Sequence, residues 1–335
     1  MSGPIPQLKR AVKSSRTLAI GARIAAERGR DVRRMTGRKE NEMGATHWAL
    51  SLEQSLDYID TVFDEYLRYG GYSVADLDGK RVLELGPGDN FAVGLRFLAA
   101  GVAEFVATDR FIPYRDPARQ RLIYEGVIDR LPDGAGKDRV APVLAGGGDV
   151  ERNLEAVGLR KLDETPIEDA VDILGSGYDL IISRAVLEHV GDLPAAFKAM
   201  DELLAPGGRM MHKVDLRDHN LFGGGLNPLT FLTVSDRTYR WMGEDSAGLP
   251  NRVRIGWYQE EMERLGYDAT FYVAGVFGIE DEFTDFVPID ELEIDAESDR
   301  LVAAARGSLL PRYTPMDTAE LAICDFMLVA DKPAG

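Results

Sequence analysis

The 335-residue sequence has a single cysteine, Cys324, so no disulfide can form within the chain and no cysteine-based metal cluster is available. No apolar run approaches the roughly 18 to 20 residues of a membrane span, and no signal-peptide hydrophobic core follows the N-terminus, so a soluble cytoplasmic protein is expected. Internal repeats and low-complexity tracts are also lacking. Positive charge is scarce overall, with 39 Lys+Arg against 56 Asp+Glu and a net charge of −17. Eleven of those cations lie in residues 1–40 beside only three acids, which leaves 28 cations against 53 acids in the rest. An acidic body of this kind excludes general nucleic-acid binding, because phosphate contacts need a basic surface.

What the chain does have is size and one informative stretch. Its length suits one large α/β domain with additions. In Arg81 to Asn90, RVLELGPGDN, the apolar residues Val82, Leu83 and Leu85 run into Gly86-Pro-Gly88. Phe91, Val93, Leu95 and Leu98 follow at spacings that read as the buried face of a helix. A strand that ends in glycines at a helix start brings backbone N–H groups and the positive end of a helix dipole to a ligand with no side chain in the way. A GxG alone is a weak signal. Glu84 inside the strand and Asp109 after the next apolar run sharpen it, since an acid about 20 positions beyond the glycines is where a ribose diol is held.

Glu84-x-Gly86-x-Gly88, then Asp109, then Tyr178-Asp-Leu-Ile-Ile-Ser183, then Leu204-x-Pro206-Gly207-Gly208 resembles the class I S-adenosylmethionine-dependent methyltransferases in order and spacing. The Glu84 form of the motif argues against a plain nicotinamide site. The resemblance covers roughly Leu77 to Lys332 and implies an α/β fold. The expected core is a Rossmann-like, seven-stranded, mostly parallel sheet with added N-terminal helices and a C-terminal lid. Residues 1–76 would form a basic arm and helical lid, and residues 77–332 the catalytic domain. Within that domain 112–164 reads as a helical insertion with little chemistry, and 216–256 and 278–318 as substrate-lid segments.

The implied cofactor is S-adenosylmethionine, held by Glu84, Gly86, Gly88, Asp109 and the neighbouring Arg110. Asn90 stands where the family has a third small residue, and Asp89 or Asn90 would serve there as an N-cap. Thr165-Pro-Ile167-Glu168-Asp169 occupies the adenine-contacting place, with Ile167 against the base and Glu168 or Asp169 accepting from its amine. Ser183 would lie near the methionine end. Many small-molecule members carry Glu-His-Val where this chain has Glu188-His189-Val190. A hydroxyl acceptor must lose its proton as the new bond forms, and a histidine suits that role.

Three roles compete for the polar cluster His212-x-x-Asp215-Leu-x-Asp218-His219. His189 is the base with Asp215 as its orienter, or His219 works with Asp218, or the cluster holds magnesium, although no dedicated metal site is read from the residues. This cluster, with Phe231-Leu232, Trp241 and Asn251-Arg252-x-Arg254, looks like methyltransferases of bacterial polysaccharide and cell-surface glycan clusters. A saccharide acceptor follows as an expectation, with O- or N-methylation of another small metabolite, or a non-catalytic scaffold that binds S-adenosylmethionine, as alternatives. Trp241 would stack on a sugar ring, Arg252 or Arg254 would hold a carboxylate or phosphate, and His47, Trp48 and Asp218 would also face the acceptor. Leu8 to Arg34 reads as a basic helix with Leu8, Val12, Leu18, Ala22 and Ala25 on one side. It would touch an anionic membrane surface, the acidic body or a second copy in a homo-oligomer.

Overall fold

A computed structural model describes residues 17–18, 20–22, 24–26, 29, 46–146, 149–222, 225–243, 249–279 and 282–335. Eight strands form one sheet: β1 (Arg81–Leu85), β2 (Glu104–Thr108), β3 (Leu159–Leu162), β4 (Tyr178–Arg184), β5 (Leu204–Asp215), β6 (Asp268–Val276), β7 (Val287–Pro288) and β8 (Ile323–Asp331). Their order is β3-β2-β1-β4-β5-β8-β6-β7. The β3–β2, β2–β1, β1–β4 and β4–β5 pairs are parallel and the β6–β7 pair is antiparallel. The sequence leads to an expectation of seven strands, and the additional one is the two-residue β7. Order reverses between β1 and β4, and a ligand in an open α/β sheet binds outside the strand ends at such a switch. The stretch 112–164, expected as an insertion, contains β3 itself.

The chain divides into two compact units, one of residues 41–213, 261–270 and 327–335, the other of 1–40, 214–260 and 271–326. In the first, α1 (Leu52–Gly70) begins with a capping box, in which Ser51 accepts from the Gln54 N–H and the Gln54 side chain accepts from the Ser51 N–H. It ends at Gly71 with φ 65°, a left-handed position that favours glycine. Leu56, Ile59, Phe63 and Tyr66 recur every three to four residues and are buried. Phe97 on α2 (Ala92–Ala99) meets the Phe63 ring edge-on at 5.1 Å and lies 5.8 Å from the Phe105 ring of β2. Burying each such ring contributes about 2–3 kcal/mol. This unit also includes α3 (Pro117–Arg130), α4 (Ile167–Leu174) and α5 (Leu193–Leu203).

In the other unit, α6 (Asp236–Gly243) and α7 (Ala296–Arg306) surround a core that includes Phe222, Phe231, Leu232, Tyr239, Val302 and Leu321. The described residues of the basic arm are helical, and Ile20 and Ile24 pack against this core. Leu18, Ala22 and Ala25 are exposed instead, which corrects the expected apolar side, while Leu8 and Val12 lie outside the described residues. The β-branched pair four residues apart outcompetes the alanines because it buries more apolar area. Among the described residues, no helix is long and apolar enough to cross a membrane.

Candidate active site

The site begins where β1 stops. Gly86 (φ 64°) and Gly88 (φ 72°) turn the chain through left-handed backbone, and the Gly86 N–H donates to Thr108 O at 2.8 Å. A side chain at Gly86 would collide with Val186, so the turn after β4 lies directly on the glycine motif. Asn90 Oδ1 accepts the Ala92 N–H at 2.9 Å and supports the start of α2. Asp89 acts elsewhere. Its Oδ2 accepts the N–H groups of His47 and Trp48 at 3.0 and 3.2 Å, anchoring the helical turn Thr46–Ala49. Arg119 secures the same segment through Leu50 O at 2.7 Å and Ser55 Oγ at 3.1 Å.

Two carboxyl groups face this turn. Glu84 is buried, and its Oε2 has no hydrogen-bond partner. Burial, and then the charge of Asp109, push its carboxyl up to about 8. Asp109 is raised by burial too, against the pull of the Phe111 N–H, Arg115 and the Gly88 N–H. Its Oδ1 accepts the Phe111 N–H at 2.9 Å. Thr165 is tied to this strand end, its N–H donating to Asp109 O at 2.8 Å and its carbonyl accepting from Thr108 Oγ1 at 2.6 Å. Two residues later, Ile167 is buried at the first turn of α4, with Glu168 half-buried and Asp169 exposed. Arg110 is exposed over the Phe111 ring.

The segment 112–164 holds the residues that sequence reasoning passed over. Arg115 Nε donates to Gly88 O at 3.2 Å, Gln120 Nε2 to Asp89 O at 3.3 Å, and Tyr124 Oη accepts the Phe91 N–H at 3.1 Å. Three side chains from one stretch thus satisfy the backbone of the glycine turn. Arg115 also pairs with Asp163 at 2.7 Å, and Lys161 holds Asp163 from the other side at 2.9 Å. Tyr124 and Gln120 lie four apart on the buried side of α3, a signal the sequence did contain. Arg115 sits in an irregular loop and offers none.

At the end of β4, Ser183 is buried and shares a 2.8 Å hydrogen bond with His212 Nδ1, so its hydroxyl is committed to the sheet interior rather than to a ligand. Burial holds His212 down at about 3, so it is neutral. Arg184 pairs with Glu65 of α1 and lies over the Tyr58 ring. His189 is half-buried on the 3₁₀ turn Leu187–His189, its N–H donating to Val186 O at 2.9 Å. His47 is buried edge-on to Tyr58 at 5.4 Å, and burial, assisted by Arg119, holds it at about 4. Trp48 is 61% exposed, with its ring edge-on to Tyr114 at 5.4 Å.

The remaining expected residues belong to the other compact unit. Asp215 accepts from the Arg217 backbone at 2.9 Å and its guanidinium at 3.2 Å. Asp218 accepts the Asn220 and Phe222 N–H groups, bracing the turn on which the exposed His219 (φ 49°) stands. Trp241 is half exposed on α6. Arg252 and Arg254 require correction. Arg252 is buried against Tyr239 and donates to Phe231 O, Val234 O and Asp236. Arg254 is wholly buried and donates to Leu216 O, Leu321 O and Ile323 O. Both guanidiniums satisfy buried carbonyls, so neither is available to an acceptor's anionic group.

A strand-turn-helix with paired acids at a topological switch is the geometry of a nucleoside-binding α/β enzyme, and residues 57–270 match the family described as Methyltransferase domain. The chain belongs to this methyltransferase family. It is an S-adenosylmethionine-dependent enzyme. No curated protein matches the sequence significantly. Among solved structures the methyltransferase is similar to the CurJ carbon methyltransferase at 12% identity, with a TM-score of 0.41 over 99% of this chain and 72% of that one. It is also similar to a Mesorhizobium loti S-adenosylmethionine-dependent methyltransferase at 11% identity, with a TM-score of 0.39 over 82% of this chain and 100% of that one. A third is the Haemonchus contortus phosphoethanolamine N-methyltransferase 2 in complex with S-adenosylmethionine, at 14% identity and a TM-score of 0.39, covering 81% and 60%.

The residues fit the cofactor. A buried carboxyl oxygen without a partner at Glu84 matches an ammonium group once the proton is released, and Asp109 just after β2 matches a ribose diol.

Proposed function

We propose that this methyltransferase O-methylates a saccharide or cell-surface glycan intermediate with His189 as general base. The observation that carries the reading is the seat of His189. It stands on the turn whose Val186 rests on Gly86, so the imidazole follows directly from the element that closes the donor turn. The bound cofactor supplies a methyl group on a sulfonium, and the chain's part is to align the acceptor and take its proton. Glu84 receives the donor's ammonium, the Gly86 and Gly88 turn brings backbone close to it, Asp109 accepts from its ribose and Ile167 lies against adenine. With Arg252 and Arg254 committed to the fold, sugar recognition rests on exposed aromatic faces, of which Trp48 is anchored to the donor motif through Asp89.

The test of the acceptor class is transfer of labelled methyl from S-adenosylmethionine to a panel of nucleotide sugars, short glycans, and hydroxyl- and amine-bearing metabolites. Label appearing as a methyl ether on a sugar is the expected result. Label confined to amines or to non-sugar metabolites overturns the saccharide reading.

The role of Glu84 has its own signature. In the free protein the group is protonated below about 8, and pairing with an ammonium requires the carboxylate. Affinity for S-adenosylhomocysteine is therefore expected to rise with pH between about 6 and 8, approaching tenfold per unit, with a proton released on binding. Calorimetry in buffers of different ionisation enthalpy reads both, and a pH-independent affinity removes the assignment. Stability of the free protein runs the other way. The folded-state value lies above the ordinary 4.5, so the stabilisation this group contributes is full below 4.5 and is lost as pH rises towards 8.

A further inference from the structure

Arg115 is held by several contacts and leaves one nitrogen without a partner. Its side chain is 5% exposed, its guanidinium lies 4.5 Å above the Phe91 ring, Nε donates to Gly88 O and Nη1 pairs with Asp163. Nη2 is buried and has no hydrogen-bond partner. A buried N–H of a permanently charged group is costly to leave unsatisfied, and such exceptions call for an explanation.

The position of that donor suggests one. Gly88 lies between the two, because its carbonyl accepts from Arg115 while its N–H helps to lower the Asp109 carboxyl against the effect of burial. Asp163 lies two residues before Thr165, whose N–H donates to Asp109 O. Arg115 and Asp109 are therefore joined through Gly88 on one side and through 163–165 on the other. A group that approaches Asp109 to donate a hydrogen bond arrives beside a guanidinium that still has one to give. A ribose hydroxyl can do both, donating its proton to a carboxylate while its oxygen accepts from an N–H.

We propose that Arg115 is a donor-contacting residue that selects for an intact ribose, its Nη2–H bonding the oxygen of the hydroxyl whose proton Asp109 accepts. The inference rests on the donor-site reading and adds a residue to it. Asp163 then acts as a positioning residue, since its pair with Nη1 fixes the rotation of the guanidinium plane and so the direction of Nη2. Lys161 and Glu151 complete the network, with Lys161 at 2.5 Å from Glu151. Arg115 is then needed in chemically distinct ways at once, as hydrogen-bond donor, fixed cation and planar partner for Phe91. A lysine supplies the cation and its donors from a single nitrogen, so it cannot hold Gly88 O, Asp163 and a ribose hydroxyl in fixed directions at once.

The experiment is a ligand-and-variant cycle. Affinities of S-adenosylhomocysteine and its 2′-deoxy and 3′-deoxy analogues are measured by calorimetry on the wild-type protein and on Arg115→Met. In the wild type, removing the contacted hydroxyl is expected to weaken binding about tenfold or more, the worth of a hydrogen bond to a charged group. In Arg115→Met, S-adenosylhomocysteine is expected to bind about tenfold more weakly, and removing the same hydroxyl should cost less than about threefold further. If all three ligands weaken by one common factor, or if none weakens, the contact does not exist and Arg115 serves only the turn. Should Arg115→Met fail to fold, Arg115→Lys, which keeps the charge beside Asp163, is expected to show the same loss of discrimination, and full discrimination there overturns the proposal. A wild-type protein that binds no S-adenosylhomocysteine sinks the donor site itself, which is a separate outcome from a variant that discriminates normally.

Discussion

Alanine at His189 is expected to lower kcat by about 10²–10⁴-fold, the usual contribution of a positioned base, while donor affinity stays within about twofold of wild type. The separation follows from placement. The imidazole belongs to the turn Leu187–His189, whereas the acids and glycines assigned to the donor lie at or just beyond the ends of β1 and β2. Loss of the base leaves an aliphatic hydroxyl protonated at the moment of attack, so residual turnover should climb with pH as hydroxide takes over the proton. A phenolate or neutral amine acceptor would show little of the first effect, because each already carries the lone pair that attacks the sulfonium. Near-wild-type turnover in the variant with the true acceptor would remove His189 from the chemistry.

Replacing Asp109 with alanine should weaken S-adenosylmethionine binding about tenfold to a hundredfold with little change in kcat at saturating donor. A carboxylate accepts two hydrogen bonds from a diol that an alanine cannot take up. Because Asp109 also accepts the Phe111 N–H, Asp109→Asn is the cleaner variant: its amide oxygen keeps that bond while the charge is lost. The asparagine form carries a second expectation. The charge of Asp109 is one cause of the elevated Glu84 carboxyl, so its removal should move the pH dependence of donor binding to lower pH. An unchanged affinity in both variants would withdraw Asp109 from the ribose. An unchanged pH profile in the asparagine form would mean that burial alone governs Glu84.

The strand-turn-helix at 81–99 and the long α1 were legible in the chain because each is written in local periodicity and turn chemistry, whereas the mostly parallel sheet was implied by the family resemblance. The Glu84, Gly86 and Asp109 spacing was legible for the same reason, since a strand ending in glycines and the end of the next strand are neighbours by topology. The two-residue β7 and the short β3 were not, being too brief to carry an alternating pattern.

What tertiary structure decided concerns charged side chains. Arg252 and Arg254 read as acceptor ligands in the sequence, but long-range packing buries them against main-chain carbonyls, Arg254 bonding Leu321 O across 67 positions. Arg115 went unnoticed although it holds Gly88 and pairs with Asp163 across 48 positions. Sequence alone determined the scaffold and the donor motif, because backbone hydrogen bonding and apolar spacing act over a few residues. Which cations serve a ligand and which serve the fold was settled only by folding, because a guanidinium reaches partners from any part of the chain and leaves no period to read.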